Sequence, residues 1–149
     1  MPTTLKLTAR SCTYFGDSQV FTLQSGEIDA EWRWIEPFLS RVPRYDFELE
    51  EVRADLSAGK AQLWGAHDGS QVLGIWLTRI ENTPSKRFGV LWIAAGEPLE
   101  AGLELYLKHT EPWLKEQGCE LVRIEGRKGW GAVLPGYEER ARVFVKEFR

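Results

Sequence analysis

RFGVLWIAAG, Arg87–Gly96, is the stretch that decides the fold, together with EPLEAG, Glu97–Gly102, and the helical pattern that runs on to Gly118. The first part is a short apolar run rich in branched and aromatic residues, which predicts a buried strand. A loop with proline and glycine follows, and then a helix begins. The first N–H groups of a helix have no intrahelical partner, so such a unit can bind an anion. It is also an ordinary βα turn of many α/β domains, and both interpretations stay open here.

The length and composition of the chain limit the classes of function that it can have. A chain of 149 residues is most simply one domain with a sizeable core. A net charge of −3 argues against a general binder of nucleic-acid phosphates. Cys12 and Cys119 lack metal-ligand spacing, and with only two histidines no metal site is predicted. The N-terminus has no apolar signal region and no run reaches membrane-spanning length, so a cytoplasmic protein without a membrane partner is expected.

The N-terminal half predicts one strand and two helices. Residues 20–24 alternate apolar and polar positions, as in a first core strand. Residues 1–18 are predicted to be an N-terminal extension of a domain over residues 19–149. Asp29 is placed to cap the first helix. The second helix is expected to stop at Gly59.

That first helix carries two tryptophans close together in sequence. Trp32 and Trp34 cannot both face inward from one helix by spacing alone. One of them is therefore predicted to be exposed, and an exposed tryptophan often marks a contact surface.

Three strands joined by short turns are predicted to form an antiparallel meander over residues 61–95. The Asp68-Gly69 pair favours a hairpin turn between the first two. Each strand carries one tryptophan, and these side chains are predicted to stack across the sheet. They are Trp64, Trp76 and Trp92.

Downstream, a long helix leads into a further strand. Pro112 lies inside the helical pattern and predicts a kink near residues 109–111. Residues 120–125 alternate polar and apolar positions and follow a strand and a helix, so this strand is expected to be parallel to the opening one. Residues 137–140 and 142–148 are interpreted as a closing strand or hairpin.

The order of elements and three phrases resemble the GNAT superfamily of N-acyltransferases. The phrases are LWIAAG, LYLKHTEPWLKEQGCELVRIEGR and LPGYEE, and the resemblance covers residues 19–149. It implies an α/β fold, with a GNAT-like mixed central sheet flanked by helices. The chain also resembles divergent GNAT-like proteins encoded by tailed bacteriophages, and this resemblance implies a place in the host cytoplasm.

The resemblance also implies a cofactor and its place. In the family, pantetheine lies where the opening strand splays from the next parallel strand, and the pyrophosphate lies on the loop and helix N-terminus. Acetyl-CoA or another acyl-CoA is therefore the implied cofactor, with an amine as the second substrate. The implied binding residues are Trp92, Ile93, Ala94, Ala95, Gly96, Ala101 and Gly102.

Two departures from the family pattern argue against catalysis. The family's phosphate loop usually carries glutamine or arginine before its glycines, whereas this loop has Glu97 and Glu100 and no basic residue. Like charges at short range repel. Many members also keep a tyrosine acid five residues before the phenylalanine that Tyr137 matches. That position here is Ala132, which cannot transfer a proton.

Two carboxylates are candidates for the general base that takes the amine proton. Glu81 lies near the end of the strand before the opening one, and Glu125 lies at the end of the strand after it. Burial that raises the pKa of either group towards neutrality would suit the role. The alternative is that both are solvated carboxylates at strand ends.

Two functions of different classes follow. The first is an acyl-CoA-dependent N-acyltransferase acting on a small-molecule or protein amine. The second is a GNAT-derived protein without transferase activity that binds a partner protein, for example a phage protein that modulates a host enzyme. The fold alone does not decide between them.

Overall fold

The fold is a mixed β-sheet with helices on both faces, as seen in a computed structural model. The structure describes residues 3–4, 12–15, 19–42, 47–96, 99–125 and 134–148, with side chains from residue 19 onward except 99–101. Within these residues no helix is long and apolar enough to cross a membrane.

Among the described residues, seven strands form one sheet in the order β2, β3, β4, β5, β6, β7, with β1 paired to the start of β5. All neighbours are antiparallel except β6 and β7, which are parallel as the sequence predicted. The segment assigned to the N-terminal extension contributes β1 and β2 to this sheet. The strands are β1 Thr3–Thr4, β2 Cys12–Phe15, β3 Val20–Leu23, β4 Ala61–His67, β5 Gln71–Asn82, β6 Arg87–Gly96 and β7 Leu121–Ile124.

The helices are α1 Ile28–Leu39, α2 Leu49–Ser57, α3 Leu99–Leu105 and α4 Glu111–Glu116, with a 3₁₀ turn at Ser25–Glu27 before α1. Asp29 does not cap α1, contrary to the prediction. It lies in the first turn and accepts a hydrogen bond from Arg53 Nε of α2 at 2.9 Å. The predicted stop of the second helix is confirmed, because Gly59 follows α2 with a positive φ of 75°.

A π-helical stretch, Tyr106–Thr110, joins α3 to α4 at the predicted kink. It lies directly before Pro112, which occupies the first turn of α4. A proline in a helix removes one hydrogen bond and clashes with the preceding turn. The wider π turn accommodates both effects without ending the helix.

The core consists of two clusters, one on each face of the sheet. On one face, α1 and α2 pack against Phe21, Leu63, Leu77 and Ile93. On the other face, the π stretch and α4 pack against a second set of side chains. That set includes Val20, Trp64, Trp76, Leu91 and Tyr106.

The prediction that Trp32 or Trp34 is exposed is wrong. Trp32 is 8% exposed and Trp34 is 7% exposed. Trp34 packs against Phe21 of β3 at a ring distance of 6.1 Å, whereas Trp32 lies beneath the Arg53 guanidinium of α2 at 5.4 Å. Because α1 contacts both the sheet and α2, both side chains belong to the core cluster on this face.

The predicted stack of three tryptophans is also wrong, because Trp92 lies on the opposite face from the other two. Trp64 and Trp76 are direct partners on β4 and β5. A β-bulge in the β5–β6 pairing inserts Trp92 and moves it to the face of α1 and α2, beside Phe47. One extra residue in a strand reverses the alternation of faces.

The closing strand or hairpin expected over residues 137–140 and 142–148 is not observed. Residues 138–148 have no regular secondary structure. The segment carries large apolar side chains that are exposed, with Phe144 and Phe148 each 90% exposed. Two arginines of the segment pair locally, Arg140 with Glu138 and Arg142 with Glu139.

Candidate functional site

The candidate site begins where β6 and β7 part. The last paired residues are Leu91 of β6 and Ile124 of β7. β6 continues to Gly96, still paired to β5, whereas β7 ends at Ile124. The β7 side of Trp92–Gly96 therefore has no strand partner among the described residues.

The bulge at Trp92 lies at the same point. Leu77 pairs with Ile93 and Thr78 pairs with Leu91, so Trp92 is the extra residue. A bulge bends its strand and increases the local twist, which turns the remainder of β6 away from β7. We call the space beside this part of β6 the opening, and its β6 side is a backbone edge whose N–H and C=O groups have no strand partner among the described residues. Such an edge can pair with an extended ligand that carries amide groups.

The predicted cofactor-binding residues form this side of the opening. Trp92, Ile93, Ala94, Ala95 and Gly96 are its five successive residues. The structure brings them together on one strand. Ala101 and Gly102 follow in the first turn of α3, whose start the chain reaches two residues beyond β6.

The two glycines of this set have different roles. A Cβ on Gly96 would lie 2.4 Å from the Cα of Gly74, and Gly96 has a φ of +127°. Its lack of a side chain is therefore explained by contact with β5. A Cβ on Gly102 would meet no atom of the described residues within 4 Å, so nothing in this part of the structure fills the space beside Gly102 at the start of α3.

The candidate bases lie on one face of the sheet, Glu81 within β5 and Glu125 directly after the end of β7. Glu81 of β5 pairs with Phe88, and Glu125 follows Ile124 directly at the parting of the strands. Both side chains are solvent-exposed, Glu81 by 43% and Glu125 by 52%. The burial expected of a general base is therefore not observed for either.

Each candidate base has an arginine partner that the sequence analysis did not assign to the site. Arg79 Nη2 lies 3.6 Å from Glu81 Oε1, and Arg123 Nη2 lies 3.2 Å from Glu125 Oε1. The Arg79 guanidinium also stacks on the ring of Trp92 at 4.2 Å. The signal in the sequence was the spacing of two residues within a strand, which places both members of each pair on one face.

A second polar group missed by the sequence analysis joins the C-terminal segment to the helices. The Tyr137 hydroxyl donates a hydrogen bond to Glu111 Oε2 and lies 2.9 Å from the Tyr106 hydroxyl. Burial is the main cause that raises the pKa of both tyrosines above the ordinary value. Both therefore stay protonated at neutral pH and serve as donors. Residues so far apart in sequence gave no local signal of this contact.

Two sequence features lie outside or partly outside the described residues. Ala132, at the position of the family's tyrosine acid, is outside them, and so is Glu97 of the acidic loop. Glu100 is described as part of α3 in its backbone alone. Among the described residues no cluster of histidine, cysteine and carboxylate side chains is arranged to hold a metal ion.

Comparison with known proteins identifies the fold. No protein-family model matches the sequence, and no curated protein matches it. Solved structures do match it. An aminoglycoside acetyltransferase from an uncultured soil metagenomic sample, solved with trehalose, superposes with a TM-score of 0.65 at 13% identity, covering 95% of this chain and 99% of that chain.

Two further structures agree. A GNAT family acetyltransferase from Staphylococcus aureus has a TM-score of 0.58 at 10% identity, covering 87% of this chain and 99% of that chain. A predicted acetyltransferase from Clostridium acetobutylicum, solved with acetyl-CoA, has a TM-score of 0.60 at 14% identity, covering 86% and 94%. The chain therefore has the α/β fold of GNAT acetyltransferases, as the sequence resemblance implied.

Proposed function

We propose that this protein is an acyl-CoA-dependent N-acyltransferase that acts on an amine. The observation that carries the proposal is the parting of β6 from β7 after Leu91 and Ile124, next to the bulge at Trp92. Structures with this fold include several acetyltransferases, one of them solved with acetyl-CoA. The fold supports the class of reaction, and the acceptor has to be argued from the site.

The residues of the opening fit an acyl-CoA. The free backbone edge of Trp92–Gly96 offers alternating N–H and C=O groups, which suit the two amides of a pantetheine arm. Gly102 leaves room above the first turn of α3, where Ala101 also lies. The bound acyl-CoA would supply an activated thioester. The chain would supply the backbone edge that orients it.

Glu125 is the stronger candidate for the general base. It follows Ile124, the last β7 residue paired with β6, and so lies at the vertex of the opening. Glu81 pairs with Phe88, three residues before Leu91 on β6, which is roughly 10 Å along the strand. A carboxylate at the vertex can hold an incoming ammonium group and take a proton from its nitrogen. Glu81 remains the alternative base.

Calorimetric titration of the purified protein with acetyl-CoA and with CoA tests the proposal. A dissociation constant in the micromolar range, about −8 kcal/mol, is expected for both ligands. Turnover with a panel of amines should then fall more for Glu125→Gln than for Glu81→Gln. Absence of heat with both ligands would refute the acyl-CoA site.

A second candidate function is protein binding without catalysis, and one observation favours it. The C-terminal segment exposes four large apolar side chains, Val143, Phe144, Val145 and Phe148. Neighbouring exposed apolar side chains are typical of interaction sites. This function predicts no acyl-CoA binding, together with a cross-linked partner that is lost in the double variant Phe144→Ser and Phe148→Ser. The buried Trp32 and Trp34 are no longer candidates for that contact.

A further inference from the structure

Two arginines lie in one row across β5, β6 and β7. Arg79 of β5 pairs with Val90 of β6, and Val90 pairs with Arg123 of β7. We call these three residues the arginine row. Neighbouring strands are about 4.8 Å apart, so the two arginine backbones are separated by roughly 9.5 Å, with Val90 between them.

All three side chains of the arginine row lie on the face of α1 and α2. Leu91 and Ile124, the next residues on their strands, belong to the core cluster on the opposite face. Because side chains alternate along a strand, Val90 and Arg123 face the other way. Arg79 stacks on Trp92, which the bulge has moved to that same face.

The guanidinium groups of the row have uncommitted donors. A guanidinium carries five N–H donors. Arg79 Nε is buried and has no hydrogen-bond partner among the described residues, and its Nη2 is 3.6 Å from Glu81, beyond hydrogen-bond distance. Arg123 donates through Nη2 to Glu125. Stacking on Trp92 fixes the Arg79 group, so little side-chain freedom is lost when it binds a ligand.

The charges around the row are balanced but separated. Glu81 lies at one corner, level with Phe88, and Glu125 lies at the diagonal corner beside the opening. A ligand that is only cationic would meet two guanidinium groups, and one that is only anionic would meet two carboxylates. A dipolar ligand complements both signs.

We propose that the arginine row binds the carboxylate of the acceptor, and that the acceptor is an amino acid or another amine that carries a carboxylate. This inference depends on the proposed function only in naming the bound amine the acceptor. The carboxylate bridges Arg79 and Arg123 over Val90, because planar guanidinium groups bind carboxylates through paired hydrogen bonds. The ammonium group lies towards Glu125, next to the vertex of the opening where an acyl thioester would be attacked.

Phe47 and Trp92 give the site an apolar wall on the side of α2. Their rings are 6.0 Å apart in an edge-to-face arrangement. Both are partly buried and pack at the border of the core cluster. The wall suits an apolar or aromatic substituent on the amino acid more than a charged one.

Direct binding of matched amines tests the inference. Calorimetry compares L-phenylalanine with phenethylamine and L-leucine with 3-methylbutylamine, with and without CoA. Each pair differs only in the carboxylate. The carboxylated member is expected to bind at least tenfold more tightly. Equal binding within both pairs, or no binding of either amino acid, overturns the inference.

Single variants locate the site. Arg79→Gln and Arg123→Gln should each weaken amino-acid binding at least tenfold and leave the affinity for CoA unchanged. Arg53→Gln is the matched control, because Arg53 also stacks on a tryptophan and pairs with a carboxylate, on the far helix α2. It should change neither affinity. Thermal melting checks that each variant is folded. Arg123 is exposed, so its substitution should disturb the fold less than the substitution of Arg79.

The titrations with acetyl-CoA and with the amino acids distinguish a failure of the transferase proposal from a failure of this inference. If the amino acids bind as expected and acetyl-CoA does not bind, the transferase proposal fails and the carboxylate site stands. If acetyl-CoA binds and the arginine variants retain full amino-acid affinity, the transferase proposal stands and the arginine row is excluded as the acceptor site.

Discussion

Leu91 pairs with Ile124, and no β6 residue beyond Leu91 pairs with β7. The bulge begins at the very next residue, Trp92. The opening is therefore set by two features that reinforce each other, the short length of β7 and the extra residue in β6. The same bulge carries Trp92 to the face where Arg79 stacks on it. One inserted residue thus contributes to the proposed cofactor edge and to the proposed acceptor face.

The first prediction concerns the start of α3. Gly102→Glu should weaken acetyl-CoA binding at least tenfold, about 1.4 kcal/mol, because the new carboxylate would extend into the open space where the phosphates are proposed to lie. Calorimetry gives the dissociation constants of the variant and the wild type.

Gly26→Glu is the matched control for that variant. A Cβ on Gly26 also meets no atom of the described residues within 4 Å, and Gly26 lies in the 3₁₀ turn before α1, not on β6, β7 or α3. It adds the same charge without touching the proposed site. If both variants bind acetyl-CoA like the wild type, the helix start is not part of the cofactor site.

The second prediction concerns the contact between β6 and β5. Gly96→Ala should destabilise the fold by about 2 to 4 kcal/mol, because the added Cβ would lie 2.4 Å from Gly74 Cα and 2.6 Å from the Leu73 carbonyl oxygen. Urea denaturation measures the loss, with Gly26→Ala as a control expected to change by less than about 0.5 kcal/mol. A stable Gly96→Ala variant would contradict the close approach. Substitutions at Gly96 therefore do not report on CoA binding alone.

The sequence predicted those elements whose signals are local. The meander, the long helix and the parallel strand follow from periodicity, from the Asp68-Gly69 turn and from the glycine that ends the helix at Gly118. A disturbance of the helix at Pro112 was predicted as a kink, since proline removes a hydrogen bond wherever it lies in a helix, and the structure has a π-helical stretch directly before it.

The features that could not be predicted from the sequence depend on the pairing register of the strands and on the packing of the helices against the sheet. Whether Trp92 faces Trp76 or Arg79 depends on one bulge, which no local pattern marks. Burial of both Trp32 and Trp34 depends on Phe21 of β3 and on Arg53 of α2, two contacts that exist only in the assembled fold. The candidate bases were found from their positions at strand ends. Their arginine partners become meaningful only when the pairing register is known.

The third prediction concerns the π-helical stretch. The buried Trp76 Nε1 donates to Thr110 Oγ1 at 2.8 Å, which ties β5 to the last residue of the stretch. Thr110→Val leaves that buried donor unpaired and should cost about 1 to 3 kcal/mol of stability. Thr110→Ser keeps the hydroxyl and should retain most of it. A loss for Thr110→Val no larger than the loss for Thr110→Ser, measured by urea denaturation, would show that this hydrogen bond contributes little to stability.

The last prediction concerns the hairpin turn between β4 and β5 and its dependence on pH. Asp68 Oδ1 accepts hydrogen bonds from the backbone N–H groups of Ser70 at 2.9 Å and Gln71 at 3.0 Å. The Ser70 bond is the largest cause that lowers the pKa of Asp68 from 3.8 to about 2. An unfolded chain has an aspartate pKa of about 3.9. Between these two values the unfolded state binds more protons, so stability falls as the pH falls.

The stabilisation from Asp68 is therefore complete above about pH 5 and is lost between about pH 4 and pH 2. Asp68→Asn keeps an oxygen acceptor but has no charge to titrate, so its stability should lack this contribution at every pH. The gap between wild type and variant in urea midpoint should be constant above pH 5 and should close as the pH approaches 2. A gap that stays constant from pH 6 to pH 2 would show that the turn does not depend on the ionised carboxylate, and the two backbone bonds would then be equally strong to a neutral oxygen.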